Sequence, residues 1–257
     1  MFRFIMDLKK INKFIIPISL IIVIVVFSFN IDKVNKSPVL NSECIVLHEG
    51  DSGKVNVVFL SYGYDDQKTF LADVDKYING TDSFSSIEPY SSNFNKLNFY
   101  AVMSDEVKCH IDDGTILCDD RAAKKVASKC HNDYIFIINK VNQFKDIVLP
   151  LRSSAYLNIG SINVADNKLV VLHEFGHLFG GLSDEYVEDG MSIDITNSLN
   201  CDISNCNKWN NVDGTGCFNG CSKAEYYRSI QNGIMRNYYK SNVFGIWNER
   251  ILSEKLT

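Results

Sequence analysis

VVLHEFGHLFGGLSDEY, residues 170–186, carries two of the chain's five histidines. His173 and His177 stand four positions apart, with Glu174 directly after the first. On a helix, positions four apart share one face, with Cβ atoms about 5–6 Å apart. Two imidazole nitrogens so placed reach one metal ion at roughly 2.0–2.1 Å. Glu174 lies one residue round the helix, where it addresses a water on the ion's open position rather than the ion itself. A water activated in this way, with a carboxylate to take its proton, is the equipment for hydrolysing an amide. The competing reading is an ordinary core helix that happens to bear two histidines. The stretch is strongly apolar, and on a plain core helix Glu174 would be a buried charge with no partner.

A hydrolytic zinc site takes three ligands from the protein. One class of zinc protease breaks its motif helix at a glycine three residues after the second histidine and places the third ligand just beyond. Gly180 stands at that glycine position, and the expected ligand position, 183, holds serine. Asp184 follows it, and the additional Gly181 supplies one residue of slack. Asp184 is the first candidate for the third ligand, Glu185 the second, and a distant glutamate on a later helix, such as Glu225, the third. The glycine pair also reads as a helix C-cap, which agrees with the ligand reading because the cap makes the turn.

Upstream of the motif, residues 54–60 (KVNVVFL), 97–103 (LNFYAVM) and 134–139 (YIFIIN) read as strands. Residues 65–79 and 121–129 carry helical spacing, with Gly80 as a stop. Residues 156–164 (YLNIGSINV) alternate around a glycine, the pattern of an exposed edge strand. The motif helix is expected to begin at Asp166. Strand alternating with helix predicts an α/β fold with an at least partly parallel sheet. Beyond Gly180 about sixty residues show no periodicity, and residues 242–256 close the chain as an amphipathic helix.

The first 35 residues read as a targeting segment rather than fold. Arg3, Lys9, Lys10 and Lys13 precede residues 14–29, sixteen positions without a charge. A spanning helix needs about 20 apolar residues, so this stretch lies between a signal peptide and a short anchor. The sequence that follows offers no small-residue cleavage site, which favours an uncleaved anchor with residues 1–13 in the cytoplasm and the rest outside. A secreted form follows if the segment is cleaved. Residues 36–53 read as a linker and residues 54–257 as the catalytic domain. The eight cysteines fit an exported domain. Cys109 and Cys118 flank a turn-like DDGT, and Cys201, Cys206, Cys217 and Cys221 read as two disulfides stapling a loop. Cys44 pairs within the same set rather than serving as a ligand that keeps the metal latent. Asp112, Asp113, Asp119 and Asp120 lack the spacing of a calcium loop and read as a solvated acidic turn. The net charge of −5, with no dominant basic patch, argues against a nucleic-acid partner.

The HEFGH, Gly-Gly and Leu-x-Asp-Glu-Tyr run resembles the signature of the IgA-peptidase family of zinc metallopeptidases. The resemblance extends to residues 57–80 (VVFLSYGYDDQKTFLADVDKYING), 87–102 (IEPYSSNFNKLNFYAV), 207–221 (NKWNNVDGTGCFNGC) and 226–239 (YYRSIQNGIMRNYY). It implies a metzincin-like fold: an upper twisted mixed sheet with helices, the motif helix, and an irregular, disulfide-stapled lower half with a methionine turn. In that frame Met235 would form an apolar floor under the metal, and Tyr186 would orient the site. Tyr238 would reach the metal or the oxyanion, and Arg236 would make a structural ion pair. The expected function is an exported or membrane-anchored zinc endopeptidase with one Zn2+ per chain, acting on a protein or peptide. The edge strand at 156–164 favours an extended peptide as substrate. Two other readings stand beside it: a zinc amidase acting on cell-wall peptides, and an inactive zinc-stabilised binding module.

Overall fold

The computed structural model describes residues 43–141, 150–190 and 193–257. The apolar segment at 14–29 lies outside the described residues, and among those residues no helix is long and apolar enough to cross a membrane. The centre of the fold is a six-stranded sheet in the order β1-β3-β2-β6-β8-β7. Its strands are β1 (Ile45–Glu49), β2 (Val55–Tyr62), β3 (Leu97–Val102), β6 (Tyr134–Asn139), β7 (Ser154–Tyr156) and β8 (Ile159–Asn163). Strands β3, β2, β6 and β8 run parallel, and β1 and β7 close the two edges antiparallel.

The near-continuous apolar runs of β2 and β6 follow from this placement, because a parallel strand is covered on both faces. Val57 and Phe59 point to one core, Val58 and Leu60 to the other. Helix α1 (Gln67–Ile78) packs on the first face through Phe70, Val74 and Tyr77. Helix α2 (Asp120–Ala127) covers the second through Ala123 and Val126. Side-chain caps from Asp66 and Asp119 start the two helices.

Three sequence expectations are corrected here. The stretch read as linker, 36–53, contains β1, which pairs with β3 and is tied to the fold by Cys44–Cys130. Its apolar run, Ile45 to Leu47, is only three residues long and follows a polar stretch, too short to announce a strand by itself. The stretch 156–164 is not one edge strand. It splits at Leu157, whose φ is +53°, and its second part, β8, is wholly buried between β6 and β7. Gly160 marks a close approach rather than an edge: a Cβ there would lie 2.5 Å from the Phe136 ring. The edge strand is the three-residue β7. The motif helix, α3 (Val170–Phe175), begins four residues later than Asp166, after a turn capped by Asn167.

A hairpin, β4 (Cys109–Asp112) and β5 (Thr115–Cys118), turns at Asp113-Gly114 with both residues at positive φ, the geometry of a two-residue Asp-Gly hairpin loop. Its ends are closed by Cys109–Cys118 as expected. It leans on the start of β7, where Arg152 donates to Gly114 O and Ile116 donates to Arg152 O. The C-terminal part of the chain is more regular than its sequence indicates. Strands β9 (Cys201–Asp202), β10 (Phe218–Cys221) and β11 (Lys223–Arg228) form a small antiparallel sheet. Cys201–Cys221 and Cys206–Cys217 staple it. Helices α4 (Ile234–Asn237) and α5 (Ile246–Leu256) complete the chain. All eight cysteines are paired, which fits an oxidising, extracytoplasmic compartment.

Candidate metal centre

Helix α3 brings His173 and Glu174 to its C-terminal end, both buried, and then widens into a single π-helical turn over Gly176–Gly180. Such turns are rare and concentrate at functional sites. Gly181 ends the turn at φ +66°, the left-handed conformation that glycine adopts without cost. The other two glycines are close approaches. A Cβ at Gly176 would sit 2.6 Å from Met235 Sδ, and one at Gly180 would sit 2.6 Å from Leu252 Cδ2. The turn is therefore pressed against Met235 at Gly176 and against α5 at Gly180.

The chain then reverses and brings Asp184 back over the helix. Asp184 Oδ1 lies 3.1 Å from His173 Nε2 and 3.1 Å from His177 Nε2, and the two Nε2 atoms lie 3.2 Å apart. A regular tetrahedron with bonds of 2.0–2.1 Å has edges of about 3.3–3.4 Å, so the triangle is close to one face of a zinc-sized site. Among the described residues, these three form the group of His, Cys, Asp and Glu side chains able to hold a metal ion.

Hydrogen bonding decides which atoms face the centre. His173 Nδ1 is 3.1 Å from Ile234 O, and His177 Nδ1 is 2.7 Å from Leu182 O. A carbonyl only accepts, so each Nδ1 carries the hydrogen and each Nε2 presents a lone pair. Asp184 Oδ1 is buried and meets only the two histidine nitrogens. With both histidines neutral, three lone pairs converge within about 3 Å, an arrangement able to hold a cation. This is the observation by which the residues fit a divalent ion.

Without the ion a proton is the substitute. Burial pulls the His177 pKa down, but the Asp184 carboxylate and then Glu174 push it further up, to about 9. The histidines reciprocate: burial raises the Asp184 carboxyl, and His173 and His177 lower it by more, well below the usual carboxylate range. Ion and proton therefore compete for the His177 lone pair. The metal-free protein holds this proton below about pH 9, so affinity for a divalent ion falls as pH falls below that value. Calorimetric titration of the full chain at pH 7.5, in buffers of different ionisation enthalpy, should show at least one proton released per ion bound. Release of none would contradict the assignment.

Glu174 is buried beside the two histidines. Burial drives its carboxyl upward, with Asp184 and Asp166 adding to the rise and His173 and His177 opposing it. No hydrogen bond to its carboxylate forms among the described residues, and it faces a cleft of about 740 Å3. Tyr186 lines the same cleft, with its ring nearly parallel to that of His173 at 6.5 Å and its hydroxyl beside Asp184. Met235 is fully buried beneath Gly176.

Four expectations about neighbouring residues are revised. Glu185, the second candidate ligand, points away from the centre and is fully buried among Asn200 and Asn248. Glu225 sits exposed on β11, a strand, outside the metal-binding group. Tyr238 packs edge-on to the His173 ring at 5.2 Å, but its hydroxyl donates to Asp166 Oδ2 at 3.1 Å. Arg236 donates to the carbonyl of Gln231 and forms no ion pair among the described residues.

Sequence reading missed Asp166, which receives both Tyr238 and Tyr239 hydroxyls and so joins the turn before α3 to the residues after α4. It also missed the Arg152–Glu188 ion pair at the cleft rim. No local pattern marks either contact, since the partners lie 36 to 73 residues apart. Neither the protein-family models nor the curated proteins compared with the chain give a match.

Proposed function

We propose that this chain is a zinc-dependent metalloendopeptidase of metzincin-like build. The reading includes the resemblance to the IgA-peptidase family and an N-terminal segment that exports or anchors the domain. The observation that carries it is the convergence of three lone pairs beside a buried, unpartnered carboxylate that opens on a cleft. His173, His177 and Asp184 would hold the ion. Bound there, zinc supplies a Lewis acid that polarises a carbonyl and makes water a nucleophile near neutral pH.

The chain's own residues do the rest. Glu174 takes a proton from the water that attacks the scissile carbonyl carbon. As the C–N bond breaks, it returns that proton to the leaving nitrogen. Its upward-shifted carboxyl suits both halves of the exchange. The carbonyls of Ile234 and Leu182 fix the tautomer and orientation of the two histidines. Tyr186 stands beside Asp184 on the cleft side.

One observation favours a second reading, an amidase acting on short cell-wall peptides. The edge strand β7 has only three residues, and Arg152 at its entry is already paired to the hairpin. Little edge is left for a long extended substrate to pair with. The two readings are separated by incubating the full chain with an unfolded protein and with cell-wall peptides. The endopeptidase reading predicts internal cuts in the protein, loss of cutting after chelation and recovery with zinc. Cleavage confined to the cell-wall peptides would replace it with the amidase, and no cleavage of either would leave a binding module.

A further inference from the structure

Asp184, Glu185 and Tyr186 point alternately. Asp184 faces the two histidines, Tyr186 lines the cleft, and Glu185 turns inward to complete burial. A fully buried carboxylate is costly unless hydrogen bonds answer it. Its Oε1 accepts from Asn248 Nδ2 at 2.8 Å, on helix α5, and from Asn200 Nδ2 at 3.2 Å, next to the Cys201–Cys221 disulfide. Asn200 also clamps the residue before the ligand: Ser183 N donates to its Oδ1 at 2.7 Å, and its Nδ2 donates to Ser183 O at 2.9 Å. Ser222 Oγ donates to Asp184 O at 2.8 Å. The Glu185 amide donates to Met235 O at 2.9 Å, one residue beyond the carbonyl that holds His173. The ligand segment thus has no regular secondary structure of its own, and this set of bonds anchors it.

We infer that Glu185 is the positioning residue for the third metal ligand: through Asn248 and Asn200 it fixes the segment that presents Asp184 Oδ1 to the two histidines. The inference rests on the metal reading and deepens it. Glu185 acts by accepting hydrogen bonds rather than by carrying charge. A glutamine keeps the accepting oxygen, and its amide would fall where Glu185 Oε2 lies, a buried atom without a partner, as is Asn248 Oδ1.

The test is the zinc affinity of the full-length chain, measured by competition with a chromophoric chelator, alongside thermal unfolding of the metal-free protein. Loss of an outer-shell contact typically lowers metal affinity by about 10–100-fold. Glu185→Ala should lose affinity in that range, and Glu185→Gln should stay within about threefold of wild type. Wild-type affinity in Glu185→Ala would overturn the inference, even if its metal-free form unfolds earlier, because that is the signature of a merely structural role. A Glu185→Gln as weak as Glu185→Ala would overturn the hydrogen-bond mechanism. Should Glu185→Ala fail to fold, Asn248→Ala decides: a several-fold loss supports the inference and unchanged affinity overturns it. A wild type that binds no zinc removes the metal centre itself, whereas one that binds zinc and cleaves nothing removes only the peptidase reading.

Discussion

Glu174→Gln should retain zinc and lose most of its hydrolytic activity. The substitution keeps the size and shape of a buried side chain that lines the cleft and makes no hydrogen bond among the described residues. The fold and the three ligands are therefore expected to be unaffected. What disappears is the proton acceptor, since an amide cannot take a proton from water near neutral pH. General acid–base catalysis is worth about 10²–10⁴-fold, and both proton transfers pass through this one carboxylate. The expected fall in kcat/KM is at the upper end of that range, with zinc content per chain unchanged. Undiminished cleavage would show that another group moves the proton and that the buried carboxylate is structural.

Asp184→Ala should have the largest effect on metal. Asp184 Oδ1 is the one oxygen in the triangle and sits 3.1 Å from both histidine nitrogens. Its removal leaves two imidazoles, fewer than the three protein ligands of a catalytic zinc site. The affinity loss should exceed the about 10–100-fold typical of outer-shell changes, so it should also exceed that of Glu185→Ala. A chelator titration of the two variants beside wild type gives the order directly. Equal zinc affinity in Asp184→Ala and wild type would require another ligand, and Glu185 could supply it only by reversing its direction. The variant should still fold, because the segment's anchors run through its backbone and through Glu185 rather than through the Asp184 carboxylate.

The parts of the fold legible in sequence are those whose cause is local. Val57 to Leu60 and Ile135 to Ile138 are buried on both faces of the sheet, and their runs of β-branched and aromatic residues announce it. The Asp113-Gly114 turn with its flanking cysteines closes a hairpin for reasons contained in ten residues. His173, Glu174, His177 and Asp184 are likewise one short stretch, so helix periodicity and a glycine break were enough to bring them together. Strand β1 is not legible because its apolar run is three residues long, and the disulfide beside it, Cys44–Cys130, joins positions 86 apart. Strand β8 was mistaken for an edge because Gly160, which the Phe136 ring requires, mimics an edge-strand glycine. The inward turn of Glu185 depends on Asn200 and Asn248, 15 and 63 residues distant. The tyrosine pair on Asp166 depends on contacts more than 70 residues apart. Those features arise from contacts between segments distant in sequence, which no local pattern records.

The most direct test of the metal centre is X-ray absorption at the zinc edge on the purified full-length chain, with metal quantified per chain. The result expected is one zinc ion per chain, bound by two imidazole nitrogens and carboxylate oxygen at about 2.0–2.2 Å, with no sulfur in the shell. A chain that retains no transition metal, or one whose zinc is bound by sulfur, would contradict the assignment of His173, His177 and Asp184.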